Sequence, residues 1–430
     1  MKSKNLTIVT IVLCTLVLSL FALTSISTAQ EIGKGPGRSV EHWPTGLTVY
    51  DPTRAYPGFT IFTSLGGDGT HYLIDMKGKV VHTWKVPQSH YGWLLPNGNL
   101  YTGFSRLDRG LGTAATGTPA VANVGVVAEV DWDSKIVRKW ENDAIHHDYD
   151  KLPNGNTLTI IWTKLEKPKE MKGGIPGTEY PGGVILGETI VEINQRNEIV
   201  WKWEMEDLDP DEYPVCPLCY RQRSLHTNSI QYLPPDNPIF PGKELIILSN
   251  RQPSAGIIVD KKTKKVLWRY GGYKDGEWAR LGHQHSFYMI GGKIGADYKG
   301  KALPGYGNIL VFDNGMHVAG YADWGLPRSS VTEIDPKTKK VVWSYKHTDT
   351  DFKGWMPPEW MFNSPYIAGA QRLPNGNTLI AEGGTGRIFE VTKAREIVWE
   401  FINPEKKAVF RAYRYGPDFP GFAGKNLPRP

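Results

Sequence analysis

Histidines and one arginine stand at corresponding positions of a repeated sequence pattern. In five repeats, a strand ends at an apolar residue just before a turn. The residues five positions before that apolar residue are His90, His147, Asn228, His285 and Ala368. His226 and His283 stand two residues further back in their own repeats, and Arg251 follows the next strand after His226. A neutral imidazole can act as a nucleophile, a general base or a metal ligand. A guanidinium holds anionic oxygens. The set therefore predicts a functional site.

The elements that position these residues come from an internal repeat. A two-strand unit ending in an aromatic residue recurs six times, at 72–84, 128–140, 191–203, 256–270, 331–345 and 388–401. Its alternating apolar residues on either side of a polar turn are typical of a β-hairpin. A second unit, containing Leu-Pro-Asn-Gly-Asn or a looser equivalent, lies between most of these hairpins. Two strand pairs make a four-stranded blade, and six copies predict an all-β, six-bladed β-propeller.

The two ends of the repeat array predict how the ring closes. The first hairpin is preceded by one strand, 58–64, and lacks an innermost strand. The segment 407–415 follows the last hairpin and can fill that place. One blade closed by N- and C-terminal strands would leave no exposed sheet edge at the seam. Inner strands of a propeller run in the same direction, so the aligned residues are expected at one height near one mouth of the channel.

The N-terminus predicts export. Lys2 and Lys4 precede an apolar run, 6–23, and residues 27–29 read Ser-Thr-Ala. This pattern is typical of a secretory signal peptide covering residues 1–29, and it predicts a periplasmic or secreted protein. The alternative is an uncleaved anchor, because the run is just long enough to span a bilayer. Residues 30–57 are then an N-terminal extension and 58–430 a catalytic propeller.

Composition limits the kinds of molecule that the protein is expected to bind. The 430 residues carry a formal net charge of +6, and no Lys/Arg run is interleaved with aromatic residues, so nucleic-acid binding is not expected. After removal of the signal, no other segment could cross a membrane. The sequence indicates no oligomeric state.

Two cysteines remain after the signal, Cys216 and Cys219, in Cys-Pro-Leu-Cys. Outside the cytosol such a pair most simply forms a local disulfide, and a metal ion shared by the pair is the alternative. No histidine follows Cys219, which excludes c-type haem attachment.

The sequence resembles the bacterial arylsulfotransferase family, the aryl-sulfate sulfotransferases that do not use 3′-phosphoadenosine-phosphosulfate. The order and approximate spacing of its motifs hold over most of the chain. Five elements carry the resemblance: His146-His147-Asp148, His226-Thr-Asn-Ser-Ile230, Ser249-Asn250-Arg251, Gln284-His285-Ser286 and Phe312-Asp313-Asn314-Gly315.

The resemblance implies transfer of a sulfuryl group from an aryl sulfate to a phenol through a covalent sulfohistidine. It implies His285 as the nucleophile, and His226 with Arg251 as ligands of the sulfuryl oxygens. His147 would be a further histidine at the transferring group. No cofactor and no metal are expected in this site, and the partners would be small aryl sulfates and phenols.

Three further residues are expected to contact substrate. Asn228 and His90 share the height of the histidines, and Trp355 lies with Trp360 and Phe362 in a loop over the same mouth. Aromatic residues of such a loop can wall an aryl pocket, and packing within a blade is the alternative for them.

Two other functions compete with sulfuryl transfer. Three or four neutral histidines, with His283-x-His285 among them, could bind Zn²⁺ or Cu²⁺ in a metalloenzyme. Arg251 beside such ligands would repel a cation. The second alternative is an exported propeller that binds a sugar or a protein without catalysis.

Overall fold

The computed structural model describes residues 44–105, 124–168, 170–273, 280–317, 329–346 and 362–430. The described residues form the following strands, in chain order: β1 (Gly46–Tyr50), β2 (Phe59–Thr63), β3 (Thr70–Ile74), β4 (Val80–Lys85), β5 (Ser89–Leu94), β6 (Leu100–Phe104), β7 (Val126–Val130), β8 (Ile136–Glu141), β9 (Ile145–Lys151), β10 (Thr157–Lys164), β11 (Gly173–Ile175), β12 (Leu186–Ile193), β13 (Ile199–Glu204), β14 (Val215–Tyr220), β15 (Thr227–Leu233), β16 (Leu245–Asn250), β17 (Ala255–Asp260), β18 (Val266–Gly271), β19 (His285–Met289), β20 (Ile309–Asp313), β21 (Ser330–Ile334), β22 (Val341–Lys346), β23 (Gly369–Arg372), β24 (Thr378–Glu382), β25 (Arg387–Val391), β26 (Ile397–Ile402) and β27 (Tyr413–Tyr415). Short 3₁₀ helices lie at Pro181–Gly183, Met205–Asp207, Gly300–Ala302, Gly383–Thr385 and Pro420–Phe422.

Six antiparallel sheets form the blades, which confirms the predicted six-bladed propeller. From the innermost strand outward, the blades are β27-β2-β3-β4, β5-β6-β7-β8, β9-β10-β12-β13, β15-β16-β17-β18, β19-β20-β21-β22 and β23-β24-β25-β26-β1. We number them one to six in that order. A separate two-stranded parallel sheet joins β11 to β14, and both strands lie in connections between blade strands. Within the described residues, no helix has the length and hydrophobicity needed to cross a bilayer.

The ring closes as predicted, through pairing of the two ends of the propeller in blade one. In the antiparallel pair β2 and β27, Phe59 lies opposite Tyr415 and Ile61 opposite Tyr413. Strand β1 was not predicted. It lies within the range assigned to an N-terminal extension, and it pairs with β26 as a fifth strand of blade six. The predicted signal peptide lies outside the described residues.

Tryptophans near the ends of the hairpins join neighbouring blades. Trp268, Trp343 and Trp399 each donate from Nε1 to a backbone carbonyl in the hairpin turn of the following blade, at 2.8–2.9 Å. Trp84 and Trp203 are also almost fully buried. The recurrence of tryptophan at this place is therefore explained by packing between blades.

A buried ion pair at the seam gives a stability prediction. Arg414 of β27 pairs with Glu390 of β25 and donates from Nε to Thr60 Oγ1 at 2.9 Å, so it links blades one and six. Both charged side chains are fully buried. Arg414→Met is expected to lower the free energy of unfolding by roughly 3–5 kcal/mol, because it leaves the Glu390 carboxylate buried without its partner. Denaturant unfolding followed by tryptophan fluorescence measures the change.

An exposed ion pair supplies the control. Lys139 pairs with Glu141 on the outer strand β8, and both side chains are more than a third exposed. Lys139→Met is expected to change the free energy of unfolding by less than about 0.5 kcal/mol. Equal effects of the two substitutions would refute a role for Arg414 in closing the ring.

Candidate active site

Innermost strands of four consecutive blades are interrupted by a β-bulge near the same mouth of the channel. The bulges fall at His90 in β5, His147 and Asp148 in β9, Asn228 in β15, and Ser286 and Phe287 in β19. A bulge bends its strand and re-aims the side chains beside it. His147, His226 and Ser286 also have positive φ angles of 53–54°, which non-glycine residues rarely adopt. The bulges and positive φ angles near this mouth therefore set the directions of the side chains there.

Several side chains near this mouth surround one cavity of about 400 Å³. His147, His226, Arg251 and His285 all line it, so the structure brings together the four residues proposed from the sequence as catalytic. The other lining residues are Leu218, Cys219, Tyr220, Gln222, Arg223, Gln252, Tyr366, Ile367 and Phe410. No carboxylate lies among these described lining residues, whereas two guanidinium groups do. The cavity is therefore suited to an anion.

Hydrogen bonds define the tautomer of His285. Its Nδ1 lies 2.6 Å from Asn314 Oδ1. The amide nitrogen of Asn314 donates to the carbonyls of Ser364 and Ile367, at 2.7 and 2.9 Å, which orients the amide with its oxygen towards His285. An amide oxygen only accepts, so His285 carries its proton on Nδ1. The lone pair is left on Nε2, in a ring that lines the cavity.

His226, His147 and His146 form a chain of hydrogen-bonded rings. His226 Nε2 lies 2.9 Å from His147 Nε2, and His147 Nδ1 lies 2.7 Å from His146 Nδ1. Each neutral ring has one N–H, so all the donors along this chain point in one of two directions. Moving a proton from one end to the other reverses that direction. The arrangement can therefore deliver a proton to the cavity and take one back.

The far end of this chain approaches a buried carboxyl group. His146 stacks on Trp162, with ring centroids 3.7 Å apart, and its Nε2 lies 3.9 Å from Glu188 Oε1. Burial raises the pKa of Glu188 to about 7, against hydrogen bonds donated by the Thr227 hydroxyl and backbone N–H. Glu188 was not foreseen from the sequence, since it lies inside the hydrophobic alternation of β12.

The site histidines are uncharged near neutral pH. Burial, with a smaller contribution from the positive charge of Arg251, lowers the pKa of His285 to about 3. Burial also lowers the pKa of His147 and of His226 well below the ordinary histidine value, and neighbouring histidines and arginines add to the effect. Neutral imidazole is the form that can attack as a nucleophile.

A second ionic cluster lies in the channel beside the site. Asp148 forms an ion pair with Arg411, 3.0 Å from its Nη1, and accepts hydrogen bonds from the hydroxyls of Tyr91 and Tyr288. Burial raises the pKa of Asp148, but the charges of Arg411 and Lys293 outweigh it, so the pKa is lowered. Asp148 is thus a fully engaged structural carboxylate. It does not line the cavity.

Some residues expected to contact substrate lie elsewhere. Asn228 is fully buried and donates from Nδ2 to the carbonyl of Gln284, at 2.8 Å, so it joins two inner strands. His90 Nε2 lies 3.1 Å from Ser105 Oγ, away from the lining residues. Both share the height of the histidines but point in other directions. Phe362 packs in the core with Phe312, Tyr345 and Phe389. Trp355 lies outside the described residues.

The cysteine pair differs from the prediction. Cys216 and Cys219 are free thiols, and no disulfide joins them. Their sulfur atoms instead approach His283 and His317. The short Cys-Pro-Leu-Cys spacing favoured a local disulfide. The spacing alone does not show that histidines from other parts of the chain lie beside the two sulfur atoms. His283 is not among the residues that line the cavity, whereas His285 is.

Two further residues of the site were not identified from the sequence. Asn314, which orients His285, stands in the Phe-Asp-Asn-Gly element already quoted for the resemblance, so that element was the available signal. Arg223 lines the cavity and donates from Nη2 to the hydroxyl of Tyr180, at 2.8 Å. It precedes His226 by three residues, and its position in a long connection gave no signal.

A sequence model of one family matches nearly the whole propeller: Arylsulfotransferase (ASST), over residues 50–415. The chain belongs to the arylsulfotransferase family. It is thus an aryl-sulfate sulfotransferase, an enzyme that acts on small aryl sulfates and phenols. The histidine cavity lies inside the matched region, as do both arginines.

Other comparisons add little to this assignment. No curated protein matches the arylsulfotransferase sequence. Among solved structures, a protein of unknown function from Bacteroides caccae is similar, with a TM-score of 0.47 and 11% identity over 83% of this chain and 98% of that one. Virginiamycin B lyase from Staphylococcus aureus gives a TM-score of 0.39 and 12% identity, over 85% of this chain and 86% of that one. No function follows from these likenesses.

Proposed function

We propose that this arylsulfotransferase transfers the sulfuryl group through a covalent sulfohistidine at Nε2 of His285. The observation that carries the proposal is the tautomer of His285. Asn314 occupies Nδ1 and leaves the Nε2 lone pair in a cavity that two guanidinium groups make favourable for an anion. A buried imidazole held in one tautomer is prepared for attack without reorganisation.

The donor binds through its charge. An aryl sulfate carries one negative charge, shared by three non-bridging oxygens. Arg251 and Arg223 both line the cavity and can donate to these oxygens, while His226, whose Nδ1 has no other partner, can offer its Nδ1–H. Charge-assisted hydrogen bonds of this kind are the stronger ones, and they hold the sulfur in line with Nε2 of His285.

The first half-reaction forms one bond and breaks one. The lone pair on Nε2 of His285 attacks sulfur as the bond between sulfur and the aryl oxygen breaks. The leaving phenolate keeps that electron pair and takes a proton from His226. The chain through His147 and His146 replaces that proton from the Glu188 carboxyl group, which is the source of the proton. His285 now bears the sulfuryl group on Nε2 and a proton on Nδ1, so its ring is cationic. The hydrogen bond to Asn314 strengthens as this charge develops.

The second half-reaction reverses these roles. A phenol enters and gives its proton to His226, which acts as the general base, and the histidine chain returns a proton to Glu188. The phenol oxygen attacks sulfur, the N–S bond breaks, and its electron pair returns to Nε2. Donor and acceptor thus use the same position in turn. Tyr220, Tyr366 and Phe410 line the cavity and offer aromatic surface to either aryl ring.

Steady-state kinetics test whether donor and acceptor occupy the same site in turn. With a chromogenic aryl sulfate and a phenol varied together, the sulfohistidine route predicts parallel double-reciprocal lines, as in ping-pong kinetics. Intersecting lines would indicate direct transfer in a ternary complex and would contradict the proposal.

Asn314 gives a test of the tautomer. Asn314→Ala is expected to lower kcat about 10²-fold with little change in KM, because the ring loses its orientation and much of its population with a free Nε2. Asn308 lies at the other end of β20 and donates to Glu333, at 2.6 Å, so Asn308→Ala is the matched control. A similar loss in both variants, or a pure KM effect at Asn314, would count against the positioning role.

A further inference from the structure

Four side chains converge beside the cavity. They are Cys216 and Cys219 of β14, His283 just before β19, and His317 just after β20. One candidate ligand atom from each lies within 4.8 Å of all the others. Three of the four are buried. The sulfuryl-transfer mechanism proposed above uses none of these side chains.

The distances match a tetrahedral metal centre. His317 Nδ1 lies 3.4 Å from Cys216 Sγ and 3.5 Å from Cys219 Sγ, and His283 Nε2 lies 3.6 Å from Cys219 Sγ. Zinc bonds of about 2.3 Å to sulfur and about 2.0–2.1 Å to nitrogen place such ligands about 3.6 Å apart in a tetrahedron. The four side chains therefore already stand near the corners that one zinc ion would require.

We propose that Cys216, Cys219, His283 and His317 bind one Zn²⁺ ion that holds a wall of the active-site cavity. Two thiolates and two imidazoles in tetrahedral array are a donor set for zinc. Four protein ligands fill the coordination sphere, so the ion has no open position for substrate and its role is structural. The assignment does not depend on the proposed sulfohistidine mechanism.

The charge balance of the cluster suits its place beside an anion site. Two thiolates cancel the charge of Zn²⁺, and neutral histidines add none. The filled site therefore adds no net charge beside a cavity that must accept an aryl sulfate. With the ion, the cysteines are compatible with that cavity.

Neighbouring groups support the ligands. The guanidinium of Arg251 lies close to the Cys219 sulfur, and the Tyr273 hydroxyl lies close to the Cys216 sulfur. Ser254 Oγ accepts from the backbone N–H of His283 at 3.2 Å and lies 3.2 Å from the Tyr273 hydroxyl. Such partners orient metal ligands and tune their charge. Arg251 thereby contacts both the metal ligands and the cavity.

The ion would fix the cavity in two ways. Cys219 lines the cavity between Leu218 and Tyr220, which are 63% and 61% exposed. Coordination would anchor this segment of β14 through the cysteines on either side of Leu218. His283 has a positive φ of 57° and stands two residues before His285, so its coordination would also hold the start of β19.

Metal content of the full-length protein, purified without chelators, tests the proposal. Elemental analysis is expected to find about one zinc per chain, and Cys216→Ser or His317→Ala to lower it at least about tenfold. His82→Ala is the control, because His82 stacks on Trp132 far from the cluster and is expected to leave the zinc content unchanged. Cobalt(II) added to the metal-free protein should give the intense d–d absorption of a tetrahedral, thiolate-ligated ion.

Two results would overturn the zinc site. One is a metal-free protein, unable to take up zinc or cobalt after reduction, in which mass spectrometry finds a Cys216–Cys219 disulfide, as the predicted export would favour. The other is one zinc per chain retained in both cluster variants. Metal content and thiol state are read without turnover, so failure here is distinguishable from failure of the sulfohistidine mechanism.

Discussion

His285→Ala is expected to lower sulfuryl transfer by at least about four orders of magnitude, because it removes the atom that receives the sulfuryl group. The loss should appear in kcat at saturating donor, since Arg251, Arg223 and His226 remain to bind the sulfate. Release of the chromophore from an aryl sulfate, with and without added phenol, measures it. Circular dichroism and thermal unfolding of the variant should match those of the unsubstituted protein.

His90 offers a control at the same level of the propeller. It occupies the bulge of β5 that corresponds to those of β9 and β19, but it lies 3.1 Å from Ser105 and does not line the cavity. His90→Ala is expected to keep transfer within about threefold of the starting rate. Normal transfer by His285→Ala would show that the covalent mechanism is wrong. A loss in His90→Ala equal to that in His285→Ala would show that position within the cavity is not what matters.

Arg251→Ala is expected to lower kcat/KM for the aryl sulfate about 10²- to 10³-fold, because it removes a charge-assisted contact to oxygens that gain charge during transfer. Arg251→Lys should recover part of the loss, since an ammonium keeps the charge without the paired donors of a guanidinium. Initial rates at low donor concentration measure kcat/KM directly. An Arg251→Ala variant within threefold of the starting value would remove Arg251 from the sulfate site.

Because Arg251 also contacts Cys219, the zinc content of Arg251→Ala should be measured alongside its activity. The account expects about one zinc per chain in this variant, since all four proposed ligands remain. Loss of activity together with loss of zinc would assign the kinetic effect to the metal site instead of the sulfate.

The heights of the site residues could be predicted from the sequence because a turn marks the end of each inner strand. The Leu-Pro-Asn-Gly-Asn turns after β5, β9 and β23, and looser turns after β15 and β19, give five blades a common origin for counting. An extra residue in a bulge shifts such a count, and both β9 and β19 contain a bulge. The bulge begins at His147 in β9 and one position later, at Ser286, in β19, and His147 and His285 both line the cavity.

The directions of the side chains could not be predicted from the same count. Asn228 lies in a bulge of its own, and its side chain turns between two inner strands instead of into the cavity. His90 also shares the height but bonds to Ser105. Side chains no longer alternate strictly between the two faces of a strand at a bulge. The residue types do not show at which position a bulge lies.

Contacts between segments that are far apart in the chain could not be predicted from the sequence either. His317 lies 101 residues after Cys216, and only the folded ring brings them together. The cysteine pair alone therefore favoured a local disulfide. Strand β1 was missed for a similar reason, since its partner β26 lies at the opposite end of the chain.

Trapping the sulfuryl-enzyme tests the central claim most directly. The enzyme is mixed with an aryl sulfate in the absence of phenol, quenched in base, digested and analysed by mass spectrometry. The account predicts a peptide containing His285 that is heavier by one SO₃ group, formed at up to one per chain and lost when a phenol is added before the quench. Modification of His147 or His226 instead, or full turnover with no modified peptide at any time, would contradict it.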